Sequence, residues 1–443
     1  MFVTCTANQS KKSVNLFELI LKLNGYPINK AKKHYSIISN KSIEERKSNI
    51  LQYHLDSSNL YSEIANEYKT NHWNQLPVMS KDKLLKSISD RIDSNYSKKE
   101  VHISKTSGSS GFPFIYAKDK FCHALTWSHI LSEYEKIGID YSKSYQARFY
   151  AIPKDFINYR KELVKDYFSN RKRFVIFDMS DNKLDQFINV FRKEKFDYIY
   201  GYTSSIVLFA NHLKKYDITL DEICPSVKLC ITTSEMLDEI DKSLLEKQFK
   251  VPIYNEYGAS ELGLLAFQNS KGVLELNNET LYTEIVDDQG NPEENGKVGR
   301  ILVTSLYNYA HPFIRYEVGD LGSIEVNPVT NKKYLSKLIG RTNEFAILPS
   351  NKRVPAFTFC YVAKSIAKES DNVKEIKVIQ KTKSDFVVNY TSLKELSKEQ
   401  KNKISKAFEI YLEPGLNIYY KRQDQLERSK SGKLKQFISQ VKT

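Results

Sequence analysis

The feature that most constrains the fold of this chain is the alternation of strand-like and helix-like runs through its middle. The strand-like runs are short and rich in β-branched and aromatic residues, as buried strands are. Between them lie runs of helical length such as 183–194 and 204–216, the second with Ser and Thr at its start as candidate N-caps. This alternation predicts an α/β fold with mixed, largely parallel sheets. The strand-like runs span 147–153, 173–179, 196–202, 228–233 and 299–306.

The part of the chain after residue 345 has a different pattern. Two strand-like runs, a charged helix-like run, a third strand-like run and a basic tail follow one another there, which predicts a small α+β domain. A chain of 443 residues exceeds one typical domain. We therefore predict a large domain over 1–340, a hinge at 341–345 behind a Gly-Arg pair, and a small mobile domain over 346–443.

Composition and charge narrow the class of protein. Hydrophobic residues make up 41% of the chain, enough for a large core, but no stretch approaches the roughly 18 apolar residues that span a membrane. The N-terminus does not resemble a secretion signal, so we expect a cytoplasmic protein without an integral membrane segment. The basic excess of 67 − 53 = 14 charges is spread along the chain, and no nucleic-acid-binding motif accompanies it. Nucleic acid is therefore not an expected partner.

A Ser- and Gly-rich stretch, SKTSGSSGFP at 104–113, is the most informative short motif. Its backbone N–H groups and hydroxyls are the donors that a loop needs to bind a polyphosphate. It is not a Walker A loop, because Phe112 stands where that motif requires a lysine. The ordinary alternative is a flexible linker.

Three further motifs follow in the sequence. YNEYGASE at 254–261 offers an aromatic ring and a carboxylate beside a glycine turn. RYEVGD at 315–320 ends in an aspartate that could accept hydrogen bonds from ribose hydroxyls. RSKSGKLK at 428–435 holds a lysine after a Ser-Gly turn, which could neutralise a phosphate. Each has an ordinary alternative, respectively a solvated turn, a Gly-Asp turn and an exposed basic tail.

Together and in this order, the four motifs resemble the core motifs of the adenylate-forming superfamily. Within it the chain is most similar to phenylacetate–CoA ligases and to the CapK-like proteins of capsular polysaccharide biosynthesis. Supporting marks are LPVMSKDKL at 76–84, GYTSS at 201–205 and the ending SGKLKQFIS. The resemblance runs from about residue 40 to the C-terminus. It implies an ATP- and Mg²⁺-dependent ligase that converts a small carboxylic acid to an acyl-AMP with release of pyrophosphate.

The resemblance also implies roles for individual residues. Glu261 would bind Mg²⁺, Lys433 would bridge the attacking carboxylate and the α-phosphate, and Glu344 would be the hinge. Ser260 would lie near the α-phosphate. The expected nucleotide-binding residues are Thr106, Ser107, Gly108, Ser109, Ser110 and Gly111 at the β- and γ-phosphates, Ser234, Glu235, Tyr257 and Gly258 around the adenine, and Asp320 and Arg341 at the ribose. The expected substrate residues are Tyr202, Thr203 and Ala259.

The acceptor of the acyl group stays open at this point. It is either CoA or an amine on a sugar or amino acid. After the Gly-Arg pair, relatives have an acidic pair and then a glycine that lines the thiol tunnel, whereas this chain has Asn343 and Glu344 followed by Pro349-Ser350-Asn351. That difference and the CapK likeness favour an acceptor in surface-polysaccharide assembly. Relatives are often homodimers, although the residues themselves do not indicate an oligomeric state. The alternative function is a degenerate nucleotide-binding scaffold, against which the presence of both Glu261 and Lys433 argues.

Overall fold

A computed structural model describes most of the chain. The described residues are 16–66, 72–84, 87–106, 114–152, 156–176, 179–341, 345–351, 353–355, 358–359, 362, 373–427 and 434–441. Within them the structure has twelve α-helices and nineteen strands. The helices are α1 Leu16–Leu23, α2 Ile28–Tyr35, α3 Ile43–Ser57, α4 Asn59–Asn66, α5 Ile88–Arg91, α6 Lys120–Lys136, α7 Phe156–Phe168, α8 Asp181–Lys193, α9 Thr203–Lys215, α10 Leu220–Ile223, α11 Glu239–Phe249 and α12 Lys398–Tyr411.

The strands follow the same numbering by chain order. They are β1 Val101–Lys105, β2 Ile115–Asp119, β3 Gln146–Tyr150, β4 Arg171–Val175, β5 Tyr198–Tyr202, β6 Leu229–Thr233, β7 Ile253–Ala259, β8 Gly263–Gln268, β9 Leu274–Leu276, β10 Leu281–Val286, β11 Gly299–Ser305, β12 Tyr316–Val326, β13 Lys333–Arg341, β14 Phe345–Ile347, β15 Arg353–Pro355, β16 Val373–Gln380, β17 Asp385–Ser392, β18 Asn417–Gln423 and β19 Phe437–Ser439.

One large mixed sheet organises the molecule, as the alternating pattern predicts. Its strand order is β10-β11-β12-β13-β9-β8-β7-β6-β5-β3-β4. Strands β4, β3, β5, β6 and β7 are parallel neighbours, and helices α7, α8, α9, α10 and α11 connect them along the chain. The α/β fold class is confirmed.

The other half of the sheet departs from the expectation of largely parallel strands. From β7 to β10 every described pairing is antiparallel, so antiparallel pairs outnumber parallel ones in the sheet. The physical reason lies in the connections. No helix lies between consecutive strands from β7 to β13, a stretch whose backbone the structure describes throughout, and a parallel pair needs a crossover connection, which is usually a helix.

The two faces of the parallel half have different chemistry. One face is a core of apolar side chains under α8, α9 and α11, with Phe149, Phe174, Phe191 and Phe209 at its centre. The opposite face carries many tyrosines and arginines, including Arg148 and Tyr200, and α6 lies against it. Because side chains alternate along a strand, a single register fixes which residues share the polar face.

The C-terminal residues form their own sheet and core. The sheet order is β18-β17-β16-β19, and Phe359, Phe386, Phe408 and Phe437 meet beneath it, with Phe359 stacked on Phe437 at 4.0 Å between ring centroids. Helix α12 begins at a capping box made by Ser397 and Gln400. The predicted domain boundaries stay predictions, and Glu344, the hinge candidate, lies outside the described residues.

No helix in the described ranges is both long and apolar enough to cross a bilayer.

Candidate active site

The structure brings two of the predicted nucleotide-binding residues into direct contact. Tyr257 lies near the end of β7 and Asp320 in β12, and the Tyr257 hydroxyl donates a hydrogen bond to Asp320 Oδ2 at 2.7 Å. The backbone of Asp320 also pairs with Arg341 of β13. An aromatic ring and a carboxylate held this close could contact the base and the ribose of one nucleoside.

Glu261, the predicted metal ligand, is a buried carboxylate in the turn between β7 and β8. It is 3% exposed. Its Oε1 accepts a hydrogen bond from the Tyr316 hydroxyl at 2.8 Å and lies 3.8 Å from Lys81 Nζ. Ser260, beside it, is exposed. The sequence motifs did not identify Tyr316 or Lys81 as neighbours of Glu261. Both contacts depend on how the antiparallel half of the sheet and the 76–84 segment pack in three dimensions.

The residues present fit a magnesium ion held jointly with a nucleotide. A carboxylate is the hard oxygen ligand that Mg²⁺ prefers, and Mg²⁺ commonly takes one or two carboxylates together with phosphate oxygens. In the part of the chain that the structure describes, no three His, Cys, Asp or Glu side chains group so as to hold a metal ion alone. Glu261 would therefore supply one ligand, and the triphosphate would have to supply others.

The predicted phosphate loop connects the two strands of a hairpin. Strands β1 and β2 pair antiparallel up to Lys105 and Ile115, and Thr106 closes the base of the loop. Its N–H donates to Phe114 O at 2.9 Å, and its Oγ1 accepts from the Phe114 N–H at 3.0 Å. Ser107, Gly108, Ser109, Ser110 and Gly111 lie outside the described residues.

Lys118, in β2, is a buried lysine that the motifs did not single out. It is 4% exposed. Burial lowers the pKa of its ammonium group, and the neighbouring Cys122, Glu261 and Asp119 oppose that shift electrostatically. Because the lysine stands in an ordinary strand-like run, only its placement beside Glu261 marks it as part of the site.

The predicted adenine loop and a predicted substrate residue are linked by hydrogen bonds. The Glu235 carboxylate accepts from the Ser204 backbone N–H at 2.7 Å, at the first turn of α9, where a negative charge is favourable. The Thr203 hydroxyl donates to Glu235 O at 3.2 Å. Ser234, which precedes Glu235, has φ of 68°, in the left-handed region that few non-glycine residues adopt. The loop is therefore fixed at both its backbone and its carboxylate.

A cluster on the polar face of the sheet, missed by the motif analysis, lies beside the predicted substrate residue Tyr202. We call it the Arg148 cluster, and it consists of Tyr134, Arg148, Tyr150, Tyr200 and Glu256. Glu256 accepts hydrogen bonds from the hydroxyls of Tyr200 at 2.6 Å and Tyr134 at 3.1 Å. The Tyr150 and Tyr202 ring centroids are 4.2 Å apart.

Burial raises the pKa of Glu256 in this cluster. Hydrogen bonds from Tyr200, Thr233 and Tyr134 and the charge of Arg148 lower that pKa in part without reversing the shift. The run of alternate tyrosines in β5 was the available signal in the sequence, but the cross-strand register was needed to add Arg148 and Glu256.

The remaining predicted residues have less defined surroundings. Gly258 is exposed and Ala259 is half-buried, both in the last residues of β7. Lys433 lies outside the described residues, so its predicted role in catalysis stays a prediction.

Comparisons with known proteins found similarity both in sequence and in fold. No protein-family model matches the chain. It is 24% identical to protein CapK from Staphylococcus aureus over 322 residues, which cover 68% of this chain and 67% of CapK. The fold is similar to that of 2-hydroxyisobutyryl-CoA ligase in its postadenylation state, with a TM-score of 0.69, 14% identity, and coverage of 90% of this chain and 88% of that one.

A second solved structure is similar over a smaller share. The anthranilate CoA ligase AuaEII in complex with anthranoyl-AMP has a TM-score of 0.53 and 15% identity, with 75% of this chain and 65% of that chain covered. At this level of identity the structural similarities establish the fold. They agree with the resemblance that the motifs predicted.

Proposed function

We propose, from the adenylate-forming fold of this chain and its sequence similarity to CapK, that it activates a carboxylic acid with ATP and passes the acyl group on. The first step forms an acyl-AMP and releases pyrophosphate. The observation that supports this most is the Tyr257–Asp320 hydrogen bond in the same region as the buried Glu261. One ring and two carboxylates are thereby available for a base, a ribose and a metal-bound phosphate.

Recognition of the nucleoside would fall to Tyr257, Asp320 and the Ser234–Glu235 loop. The Tyr257 ring would stack on the adenine, with the loop at its other side. Asp320 would accept hydrogen bonds from the ribose hydroxyls, and its contact with the Tyr257 hydroxyl keeps its carboxylate oriented toward β7. Because Glu235 is fastened to the first turn of α9, the loop would keep its position when the nucleotide leaves.

The reacting groups repel each other, so positive charge must surround them. A carboxylate attacking an α-phosphate brings two anions together, and a bound Mg²⁺ would supply charge stabilisation at the phosphates. Glu261 would hold that ion. Lys81, whose Nζ lies 3.8 Å from Glu261 Oε1, would add positive charge, and Ser107 to Gly111 would donate hydrogen bonds to the β- and γ-phosphates.

We propose that Lys433 neutralises the attacking carboxylate and the α-phosphate in the first step only, and that Glu344 lies at the hinge of a domain rotation between steps. We expect Lys433→Ala to slow acyl-AMP formation about 10²- to 10³-fold, the usual effect of losing one preorganised donor. Transfer from preformed acyl-AMP should be largely unchanged. The measurement is hydroxamate formation with hydroxylamine for the first step and AMP release from synthetic acyl-AMP for the second.

Lys435→Ala is the matched control, since it removes a neighbouring lysine from the same segment. Equal loss of both half-reactions in Lys433→Ala would contradict the assignment, as would a first step as impaired in Lys435→Ala.

For the second step we keep two acceptors and propose a test that separates them. The structural neighbours are CoA ligases by name, which supports a thiol acceptor. We keep an amine acceptor in surface-polysaccharide assembly because the motifs resemble those of CapK-like proteins and the chain is similar in sequence to CapK. A thiol acceptor should make AMP release from acyl-AMP depend on CoA, whereas an amine acceptor should leave it indifferent to CoA and responsive to amino sugars or amino acids.

A further inference from the structure

Arg148 is an unusual arginine because part of its guanidinium group is buried without a hydrogen-bond partner. Its carbon Cζ lies 4.3 Å from the ring centroid of Tyr150 and 4.7 Å from that of Tyr200. Its Nη1 donates to Gln146 Oε1 at 3.3 Å. Its Nε is buried, and no hydrogen-bond acceptor for it exists among the residues that the structure places. A buried donor without a partner costs about 1 to 3 kcal/mol.

Two neighbouring arginines on the same face of the sheet differ from Arg148, because carboxylates accept hydrogen bonds from their guanidinium groups. Arg171 Nε donates to Asp166 at 2.5 Å. Arg173 donates to Asp166 through Nε at 2.8 Å and to Glu162 through Nη2 at 2.8 Å. Both arginines are therefore neutralised within the fold, whereas Arg148, one strand further in, keeps a free donor.

The carboxylate of the Arg148 cluster, Glu256, does not supply the missing acceptor. Glu256 uses Oε1 to accept from the Tyr200 hydroxyl and Oε2 to accept from the Tyr134 hydroxyl. In this arrangement the carboxylate accepts no hydrogen bond from Arg148 Nε. The acceptor that completes the hydrogen bonds of Arg148 therefore lies outside these side chains, and a bound substrate can supply it.

The Arg148 cluster stands at the edge of the sheet where such a molecule would be. Ligands of α/β sheets bind outside the carboxyl ends of the parallel strands. Glu256 directly precedes Tyr257, the predicted adenine platform, and Tyr150 touches Tyr202 at the end of β5. The cluster therefore lies next to the nucleotide-binding residues, on the face of the sheet opposite the apolar core.

We propose that the acid activated by this chain carries an oxygen acceptor remote from its reacting carboxylate, and that Arg148 Nε donates a hydrogen bond to it. The substrate class is accordingly an oxygenated acid, whose acceptor is a hydroxyl, a carbonyl or a second carboxylate. This inference rests on the proposed adenylation, and it makes Arg148 a specificity-determining residue.

The test is pyrophosphate exchange with acids matched in length and shape. One series is hexanoate, 6-hydroxyhexanoate and adipate, and the other is phenylacetate, 4-hydroxyphenylacetate and 4-carboxyphenylacetate. Wild type should prefer an oxygenated member by at least about 10-fold in kcat/KM, because a site built to donate to an oxygen rejects the analogue without it. The hydroxylated and carboxylated members distinguish a neutral acceptor from an anionic one.

Arg148→Met keeps an unbranched apolar side chain in place of the arginine stem and removes every donor. We expect it to abolish the preference while changing kcat/KM for the unsubstituted acid less than about 3-fold and leaving KM for ATP unchanged. Arg148→Lys should retain part of the preference only if the acceptor is a carboxylate, since it keeps the charge without the planar donors. Arg192→Met, at an exposed arginine of α8, is the control and should behave as wild type.

The outcomes separate the two proposals. Exchange with unsubstituted acids that equals or exceeds exchange with oxygenated ones overturns the role of Arg148 and leaves adenylation standing. This comparison of acids with the wild-type protein tests the proposed substrate class even if Arg148→Met does not fold. Absence of exchange with every acid overturns the proposed function itself, and the inference with it.

Discussion

Two parts of Tyr257 have separate roles in the proposed function. Its ring would stack on the base, and its hydroxyl orients Asp320. We expect Tyr257→Phe to raise KM for ATP less than about 5-fold, because it keeps the ring. Tyr257→Ala should raise it by at least about 10-fold, because aromatic stacking on a base is worth roughly 1 to 3 kcal/mol. ATP-dependent exchange kinetics of both variants check this. A larger loss in Tyr257→Phe than in Tyr257→Ala would contradict the stacking role.

His54 is a buried residue whose protonation state should affect stability. It is 0% exposed, and its Nε2 bonds to Asn308 O at 2.9 Å. A carbonyl oxygen only accepts, so Nε2 carries the hydrogen in the neutral ring. Its Nδ1 has no partner among the placed residues, and burial lowers the pKa of His54 to about 4, although Asn308 and Asp93 oppose the shift.

The sign of the resulting pH dependence follows from that lowered pKa. The unfolded chain takes up the proton near pH 6.5 and the folded chain only near pH 4. The stability contributed by neutral His54 is therefore fully present above pH 6.5 and is lost as the pH falls toward 4, by about 2 kcal/mol at pH 5. Urea unfolding at pH 7 and pH 5 should show His54→Gln losing about 2 kcal/mol less than wild type. His72→Gln, at an exposed histidine, should match wild type, and identical losses in all three proteins would refute the prediction.

At the scale of elements, the close approach of β3 and β5 depends on Gly201. A Cβ atom at this position would lie 2.3 Å from Phe149 O and 2.7 Å from Phe149 Cβ, a backbone clash that side-chain rotation cannot relieve. We expect Gly201→Ala to destabilise the protein by about 3 kcal/mol, at the upper end of overpacking effects. Urea unfolding measures this directly.

Gly138→Asn is the contrasting substitution. Gly138 has φ of 85° with nothing within 4 Å of an added Cβ, and Asn tolerates the left-handed region better than most residues. It should cost less than about 1 kcal/mol. Equal destabilisation by both substitutions would show that the clash in the sheet is not the cause.

How far the sequence predicts these elements depends on whether the signal is local. Strands β3 to β6 and helices α8 and α9 were predicted because hydrophobic periodicity and β-branched enrichment lie within one run. The Arg148 cluster was not, because Arg148 and Glu256 are far apart in the chain and meet only through the register of β3, β5, β6 and β7. The positions of Lys118 and Tyr316 beside Glu261 were not predicted for the same reason.

At the scale of the whole molecule, the order of four short motifs predicted what no single motif could. Each motif alone has an ordinary alternative, but together they predicted a resemblance to adenylate-forming enzymes and to CapK, and both the similarity in fold and the sequence match confirm that resemblance. The fold places Tyr257, Asp320 and Glu261 in one region from separate segments of the chain. In the antiparallel half of the sheet β11 was predicted from the run 299–306, but the antiparallel pairing was not, since pairing among short strands is set by tertiary packing rather than by local pattern.

The most direct test of the central claim is carboxylate-dependent ATP–pyrophosphate exchange with Mg²⁺. We predict exchange with at least one acid in a panel of aryl, fatty, hydroxy and amino acids. We also predict a loss of about 10²- to 10³-fold in Glu261→Gln, which keeps the shape of the side chain but removes its charge. Glu317→Gln, at a carboxylate paired with Arg300, should exchange as wild type. Silence across the panel from a protein that still binds ATP would contradict the claim and favour a nucleotide-binding scaffold.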